Sequence, residues 1–518
     1  MDTLRYILFG LVSLWFVPCS FAQKMVYLER AENLSFDEAR IADAQILRGN
    51  VVFRHEEALM YCDSAYFYEK TNSLDAFGHV RFEQGDTLRG FGDKLYYDGN
   101  TKIARMRRHV RLVHGREDRN PTVLTTDTLN YDRAAGVAYY YSGGEVRDSL
   151  NTLTSVSGNY KPDTKQAVFS KEVRLVNPNF VLTSDTLLYN TETKVTDMVS
   201  PTKIVYEEQT TIYSAHGWYN TESEQSMLLD RSLVVHDDGK SMTGDTIYYD
   251  KHIGFGRVLG KMEMTDSAQH ATLYGEYGEM WEKENRGYAT DSALMVDWSD
   301  SAHIAYIHAD TLFTEQLHYE DSARMDSTYR RVRAYFGVRV FRDDMQMVCD
   351  SLVYLGSDST ILLFKNPICW SENQQIAADS MQVYIKNGTV DHAVGVSRAI
   401  CVMHDTLPDV FNQMSGKEII AYLTDGEVHT IDVSGNALTI YYPKEEDGSL
   451  VGLNTTESSF IRSYVKDQQI YRMRFTKETT GVLYPMDQIP EGGERLALFF
   501  WEEESRPVSP EDVFRKTK

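Results

Sequence analysis

Proline is scarce in this sequence, at 12 of 518 residues, and cysteine scarcer, at five. Few prolines argue against long proline-rich linkers and favour strands. Five cysteines cannot staple a chain of this length. No two stand as Cys-x-x-Cys, so a disulfide scaffold, a zinc ribbon and a thioredoxin-like centre are not signalled. Positive charge is short as well: 53 Lys+Arg against 76 Asp+Glu leave a net charge of −23, which repels a polyphosphate backbone and argues against a nucleic-acid partner. Beyond the N-terminus no apolar run reaches the ~18 residues a membrane-spanning helix needs. The fourteen His are scattered. HExxH, GxSxG and GxGxxG are absent. Gly416-Lys417 is followed by Glu418, and Gly239-Lys240-Ser241 lacks the upstream glycine of a phosphate-binding loop. The expectation is therefore no cofactor, no metal and no catalysis. A sustained helical period is also missing between Gln23 and about Thr480.

What is present begins with an address. Met1 to Ala22 reads as a secretory signal, with Arg5 before the apolar run Ile7 to Val17 and a small-residue cleavage site at Ser20-Phe21-Ala22. The mature chain would start at Gln23. An uncleaved anchor is one alternative; a lipoprotein using Cys19 is another, with Pro18 standing where a small residue belongs. Export permits disulfides. Cys62, Cys349, Cys369 and Cys401 remain, and one bridge among the last three or four buried thiols are both open readings.

The strongest signal is self-similarity. An apolar-x-apolar step, often after Gly, recurs at Gly49-Asn50-Val51-Val52-Phe53, Gly78-His79-Val80-Arg81-Phe82 and Gly260-Lys261-Met262-Glu263-Met264. It returns at Val110/Leu112, Val173/Leu175, Ile204/Tyr206, Leu233/Val235, Val338/Val340 and Ile368/Trp370, at spacings of 29 to 31 residues between several neighbours. A second unit, Asp-Ser/Thr-apolar-x-Tyr, follows at Asp127, Asp185, Asp245 and Asp350, with looser copies at Asp63, Asp93 and Asp379. Both alternate with period two, as half-buried strands do. Turn residues separate them, as in Asp98-Gly99-Asn100. The expectation is an all-β, elongated repeat array of mostly antiparallel strands. Its segments would be 23–270 and 271–480, parting where the repeat weakens. The residues 481–518 would form a tail, with a short helix at Ser509-Pro510-Glu511-Asp512 packed over the array's end.

The period predicts the lining. Val51, Phe53, Val80, Phe82, Val110, Leu112, Val173, Leu175, Ile204, Tyr206, Leu233 and Val235 should face inward, with Arg81 and Arg111 outward. The recurring Asp residues read as turn or start-of-strand positions, since a catalytic pair would occur once. Trp218, Trp281, Trp298, Trp370 and Trp501 read as core in preference to sugar platforms. Triplets such as Asp148-Ser149-Leu150 and Asp321-Ser322-Ala323 resemble O-glycosylation acceptors.

The run Leu47-Arg48-Gly49-Asn50-Val51-Val52-Phe53, then Leu59-Met60-Tyr61-Cys62-Asp63-Ser64-Ala65, then Ala76-Phe77-Gly78-His79-Val80-Arg81-Phe82 resembles the OstA-like family, which is related to the lipopolysaccharide-transport protein LptA. The tail, with Tyr484-Pro485-Met486-Asp487 and Phe500-Trp501, looks like the ending of long Bacteroidetes-type members. The resemblance implies a β-jellyroll or "β-taco" whose interior holds lipopolysaccharide acyl chains. It implies a periplasmic place peripheral to membranes, a part in outer-membrane assembly, and docking to other transport proteins by strand-edge addition. It brings no catalytic residues. The expected function is a non-enzymatic lipid carrier or conduit. A polysaccharide-active β-solenoid enzyme would instead show one non-repeated polar cluster, and a stalk a filled interior.

Overall fold

Strand alternation becomes a bent antiparallel ladder in the computed structural model, which describes residues 25–116, 120–319, 327–406, 409–424, 426–445 and 447–516. The signal segment, the cleavage site and the triplet at Asp321 lie outside the described residues. Those residues hold 36 strands, and their helices are single 3₁₀ turns. Their contacts divide into two compact units. The first runs to Leu175 and takes in Tyr189–Glu192; the second is Val176–Leu188 with the chain from Thr193 onward.

In the first unit, strands Gln45–His55, Ala58–Tyr68, Ser73–Gln84, Leu88–Asp98, Ile103–His114 and Thr122–Asp132 form an antiparallel meander. Every ladder in it breaks at mid-strand, between Arg48 and Val51 in one strand and between Phe77 and Val80 in another. Two consecutive residues there turn left-handed: Gly49 and Asn50 (φ 80° and 44°), or Gly78 and His79 (φ 76° and 43°). Such a bulge bends a strand, and the two halves of each strand then face one another. Phe53 meets Phe67 across the interior at 5.4 Å between ring centroids, Phe82 meets Tyr131 at 5.9 Å, and His55 Nδ1 lies 2.6 Å from the Tyr97 hydroxyl.

The second unit repeats this plan. Its antiparallel strands run in unbroken succession from Gln225–His236 through Lys240–Asp250, Phe255–Asp266, Ala271–Trp281, Arg286–Asp297 and Ala305–His318 to Thr328–Phe341. Phe180 and Tyr219, 4.9 Å apart, bridge its halves near one end, and Ser463 Oγ lies 3.1 Å from Met414 Sδ further on.

One thirty-residue repeat is thus two bent strands. The recurring Asp stands at the bend, not at a turn or the start of a strand as expected. Asp63 Oδ2 accepts from His79 Nδ1 at 2.7 Å, Asp93 from His109 at 2.8 Å and Asp379 from Ser397 at 2.6 Å. This explains the glycine opposite. A Cβ on Gly78 would sit 2.4 Å from Asp63 Oδ2, and one on Gly260 2.6 Å from Asp245 Oδ2.

The tail also differs from expectation: it straps across the sheet's outer face instead of capping an end. Gln413, fully buried, bonds the strap at Glu494 and Leu496; Gln375, also fully buried, bonds it at Phe500 and Glu502. Gln346 accepts from Arg506 Nε at 2.8 Å. Each fully buried amide both donates to and accepts from the strap's backbone, as a neighbouring strand would. Leu498, Phe499 and Trp501 cover Ala377, Ile400 and Val402. The short helix forms, as a 3₁₀ turn at Glu511–Phe514, and the Phe514 ring lies tilted against His308, 4.7 Å between centroids. Ser509 makes no side-chain cap; the Asp512 carboxylate accepts from Val508 N at 3.0 Å.

Candidate functional site

Bending brings one residue of every strand into a row along the interior. In the first unit this row includes Phe53, Met60, Phe82 and Leu112, paired in register through Gly90. Val51, Phe53, Val80, Phe82, Val110, Leu112, Val173 and Leu175 are all buried and inward, none more than 3% exposed, so this stretch is closed to water and filled by its own side chains. Arg81 and Arg111 face outward, Arg81 with its guanidinium 4.1 Å from the Tyr61 ring centroid.

In the second unit Ile204 is buried and Tyr206 half-buried, beside Phe180 in register. Leu233 and Val235 depart from expectation. Leu233 is 37% exposed, and both lie on the outer face; Ser232 and Val234 take the inward positions. The cause is the left-handed pair Asp230-Arg231, which sets the phase one residue away from where the apolar spacing placed it. Ile368 and Trp370 face outward for the same kind of reason, beneath the strap, while Cys369 faces in. Trp370 is the fully buried tryptophan; Trp218, Trp281, Trp298 and Trp501 are only half-buried.

The inward row of the second unit is different material. Val234, Met242, Met264, Leu273, Met295 and Ile307 are successive register partners. Four of them — Val234, Met264, Leu273 and Ile307 — are half-buried, so water reaches an apolar floor here. The facing half carries small residues at Gly278 and Ala289. Methionines lie over its glycines: a Cβ on Gly278 would come 2.2 Å from Met262 Sδ, and one on Gly256 2.8 Å from Met280 Cγ. Methionine is flexible and polarizable, so these side chains act as displaceable fillers. Arg330 reaches toward this row, its Nη2 3.9 Å from Met295 Sδ and its Nε donating to Thr314 Oγ1 at 3.3 Å. Burial lowers its pKa, and it makes no ion pair among the described residues. Sequence reasoning missed Arg330, because one Arg in an alternating strand carries no visible signal.

Conventional chemistry is engaged elsewhere. The four cysteines among the described residues are free thiols; burial pushes Cys62, Cys349 and Cys401 up to about 12 and raises Cys369, which makes them poor nucleophiles. His303, Asp343 and Asp344 have a metal-like spacing. His303 already bonds Asp343 at 2.7 Å, and Arg342 holds Asp344 at 2.7 Å. No helix among the described residues is long and apolar enough to cross a membrane.

No curated protein matches the chain. Residues 23–185 and 170–240 match the family model described as OstA-like protein, so that the bent, Gly-and-Asp-punctuated strands of this stretch have a family likeness to go with their geometry, and through residues 23–240 this chain is similar to the OstA-like family.

Proposed function

We propose that the protein is a non-enzymatic periplasmic carrier or conduit for lipopolysaccharide, serving its transport and outer-membrane assembly. The acyl chains would lie in the methionine-lined interior of the second unit and an anionic head group against Arg330. The OstA-like match over residues 23–240 supports a role related to lipopolysaccharide transport. The single observation that carries the reading further is the half-open apolar row from Val234 to Ile307. Burying one CH₂ is worth ~0.8 kcal/mol, so a long acyl chain gains on the order of 10 kcal/mol in such a groove, less the cost of moving the methionines aside. The closed first unit is a poorer host, because its interior row is fully buried and, apart from Met60 and Met106, filled mainly by branched and aromatic side chains with fewer ways to move. Docking to a further transport protein would use the N-terminal edge strands. Tyr27, Leu34 and Phe36 there are 58 to 60% exposed, and an apolar open edge invites strand addition.

Photo-crosslinking tests this reading. A benzophenone amino acid at position 264 or 273 of the mature protein should capture lipopolysaccharide; one at position 53 should not. Failure of every position to capture lipopolysaccharide would reject the carrier reading. Capture at position 53 alone would reject its placement in the second unit.

A further inference from the structure

In the first unit the two halves of each bent strand end at a common mouth, opposite the bends, and polar groups lace that mouth from one half to the other. His55 Nδ1 lies 2.6 Å from the Tyr97 hydroxyl, and His114 Nδ1 lies 2.6 Å from the Tyr160 hydroxyl. The Tyr189 hydroxyl donates to Asp148 Oδ2 at 2.6 Å and accepts from Asn151 Nδ2 at 2.9 Å. Glu56 holds Lys102 at 2.8 Å and Arg133 at 3.5 Å. Behind this lacing lies the apolar row from Phe53 to Leu112, closed to water.

The hydrogen bonds fix the protonation of both histidines. The Tyr97 oxygen accepts from Arg133 Nη1 at 2.8 Å, so the hydroxyl gives its own proton to His55 Nδ1, which carries none. Lys165 Nζ can only donate, and it lies 3.1 Å from His114 Nε2. That nitrogen is therefore the acceptor, and the ring's one proton sits on Nδ1, facing Tyr160. A second proton has no place at either stitch. On His55 it would oppose the Tyr97 hydroxyl proton, with Arg133 already on the same oxygen; on His114 it would oppose the Lys165 ammonium. The nearby acids do not cancel this. Glu56 is shared by two cations, Asp98 accepts from the backbone N–H of Asn100 and Thr101, and Asp163 and Glu192 are exposed. Burial and Lys165 lower the pKa of His114, while Asp163 acts to raise it.

We propose that the lacing is an acid-sensitive latch: protonation of His55 and His114 parts the mouth of the first unit and exposes its apolar row. Each of these histidines bonds a tyrosine of the opposite half and stands beside a cation, so one change in the solvent acts on two stitches at once. In the parted state water covers both rings and neither cation is held against them, so they take up protons more readily. Closure is therefore favoured above the ordinary histidine range of about 6.5 and weakens as pH falls through it. The Tyr189 stitch contains no histidine, so parting begins at the strands that carry His55 and His114. The latch lies wholly within the first unit and stands whether or not the second unit carries lipid.

Thiol labelling of the full mature chain with 4,4′-dithiodipyridine, which reacts in acid as well as at neutral pH, tests the latch when read cysteine by cysteine through peptide mapping. Cys62 lies inward beside Val51 and is 5% exposed; Cys401, in the second unit, is fully buried. Each rate is divided by that of the unfolded chain at the same pH. On that scale Cys62 should react about tenfold or more faster at pH 5 than at pH 7.5, with Cys401 unchanged. His55→Gln combined with His114→Gln should remove the acid effect. Tyr97→Phe combined with Tyr160→Phe keeps the rings and loses the hydroxyls. It should raise Cys62 labelling at pH 7.5 by about tenfold, at unchanged circular dichroism. No acid effect in the parent, or equal acceleration of Cys62 and Cys401, would overturn the latch. So would an undiminished acid effect in the double glutamine variant. A Cys62 still protected in the double phenylalanine variant would show that the lacing does not close the mouth.

Discussion

At the scale of single residues the bends at Gly78 and Gly260 depend on the contact between the glycine and the acid opposite it. Gly78 has φ 76°, where a side chain is strained, and the space its Cβ would enter is filled by Asp63. Gly85 has φ 59° and nothing within 4 Å of an added Cβ. Both lose backbone freedom suited to glycine alone, at about 1 kcal/mol each for alanine. Gly78→Ala must in addition displace Asp63, whose carboxylate oxygen lies 2.4 Å from where the new Cβ would sit. Thermal unfolding should therefore show Gly78→Ala clearly less stable than Gly85→Ala; equal melting temperatures would mean the bend tolerates a side chain. The sequence made Val51, Phe53, Val80 and Phe82 legible as inward because Gly marks the phase before them. It misled at Leu233 because the inward position after the bend at Asp230-Arg231 is the polar Ser232, so the apolar-x-apolar step of Leu233 and Val235 falls on the outer face.

At the scale of elements the strap is the part that was least legible. Its composition, with a proline before an acidic turn, told of a short helix, and one is there. Where it lies was hidden, since Gln413, Gln375 and Gln346 hold it from 81 to 160 residues away. Three glutamines spread over separate strands have no common spacing in the sequence. The strap's far end rests on His308, whose Nδ1 is 2.7 Å from the Ala293 carbonyl and whose ring is against Phe514. Burial lowers the pKa of this imidazole; the Ala293 carbonyl and Asp310 act to raise it, and Arg339 adds to the lowering. With the strap released, Phe514 no longer covers the ring, so its pKa rises back toward the ordinary value of about 6.5. The released state then binds more protons just below that pH, so docking is complete above it and weakens as pH falls. Limited proteolysis should cut the tail faster at pH 5 than at pH 7.5, and His308→Gln should flatten the difference. A cleavage rate indifferent to pH, or an undiminished pH effect in His308→Gln, would show that His308 does not govern the strap.

At the scale of the whole molecule the governing quantity is charge. A net charge of −23 is an odd endowment for a protein proposed to carry a phosphorylated lipid. The two parts of binding respond differently to it. Approach is governed by the long-range field, which extends ~30 Å at 0.01 M salt and ~8 Å at 0.15 M. Residence, on the proposed reading, would be governed by contacts made inside the second unit, at Met264, Leu273 and Arg330, which salt reaches much less. Raising salt should therefore speed association of an anionic lipid by roughly tenfold between those two conditions and change dissociation little. Stopped-flow fluorescence with a labelled lipid A analogue, kept below its aggregation threshold, would separate the two rates. An uncharged amphiphile of the same chain length should show no such acceleration and so calibrates any effect of salt on the protein itself. A carrier that captured lipid through an exposed basic surface would give the opposite trend, with association slowing as salt rises. That outcome here would move the first contact away from the apolar row and onto one of the molecule's few cationic patches.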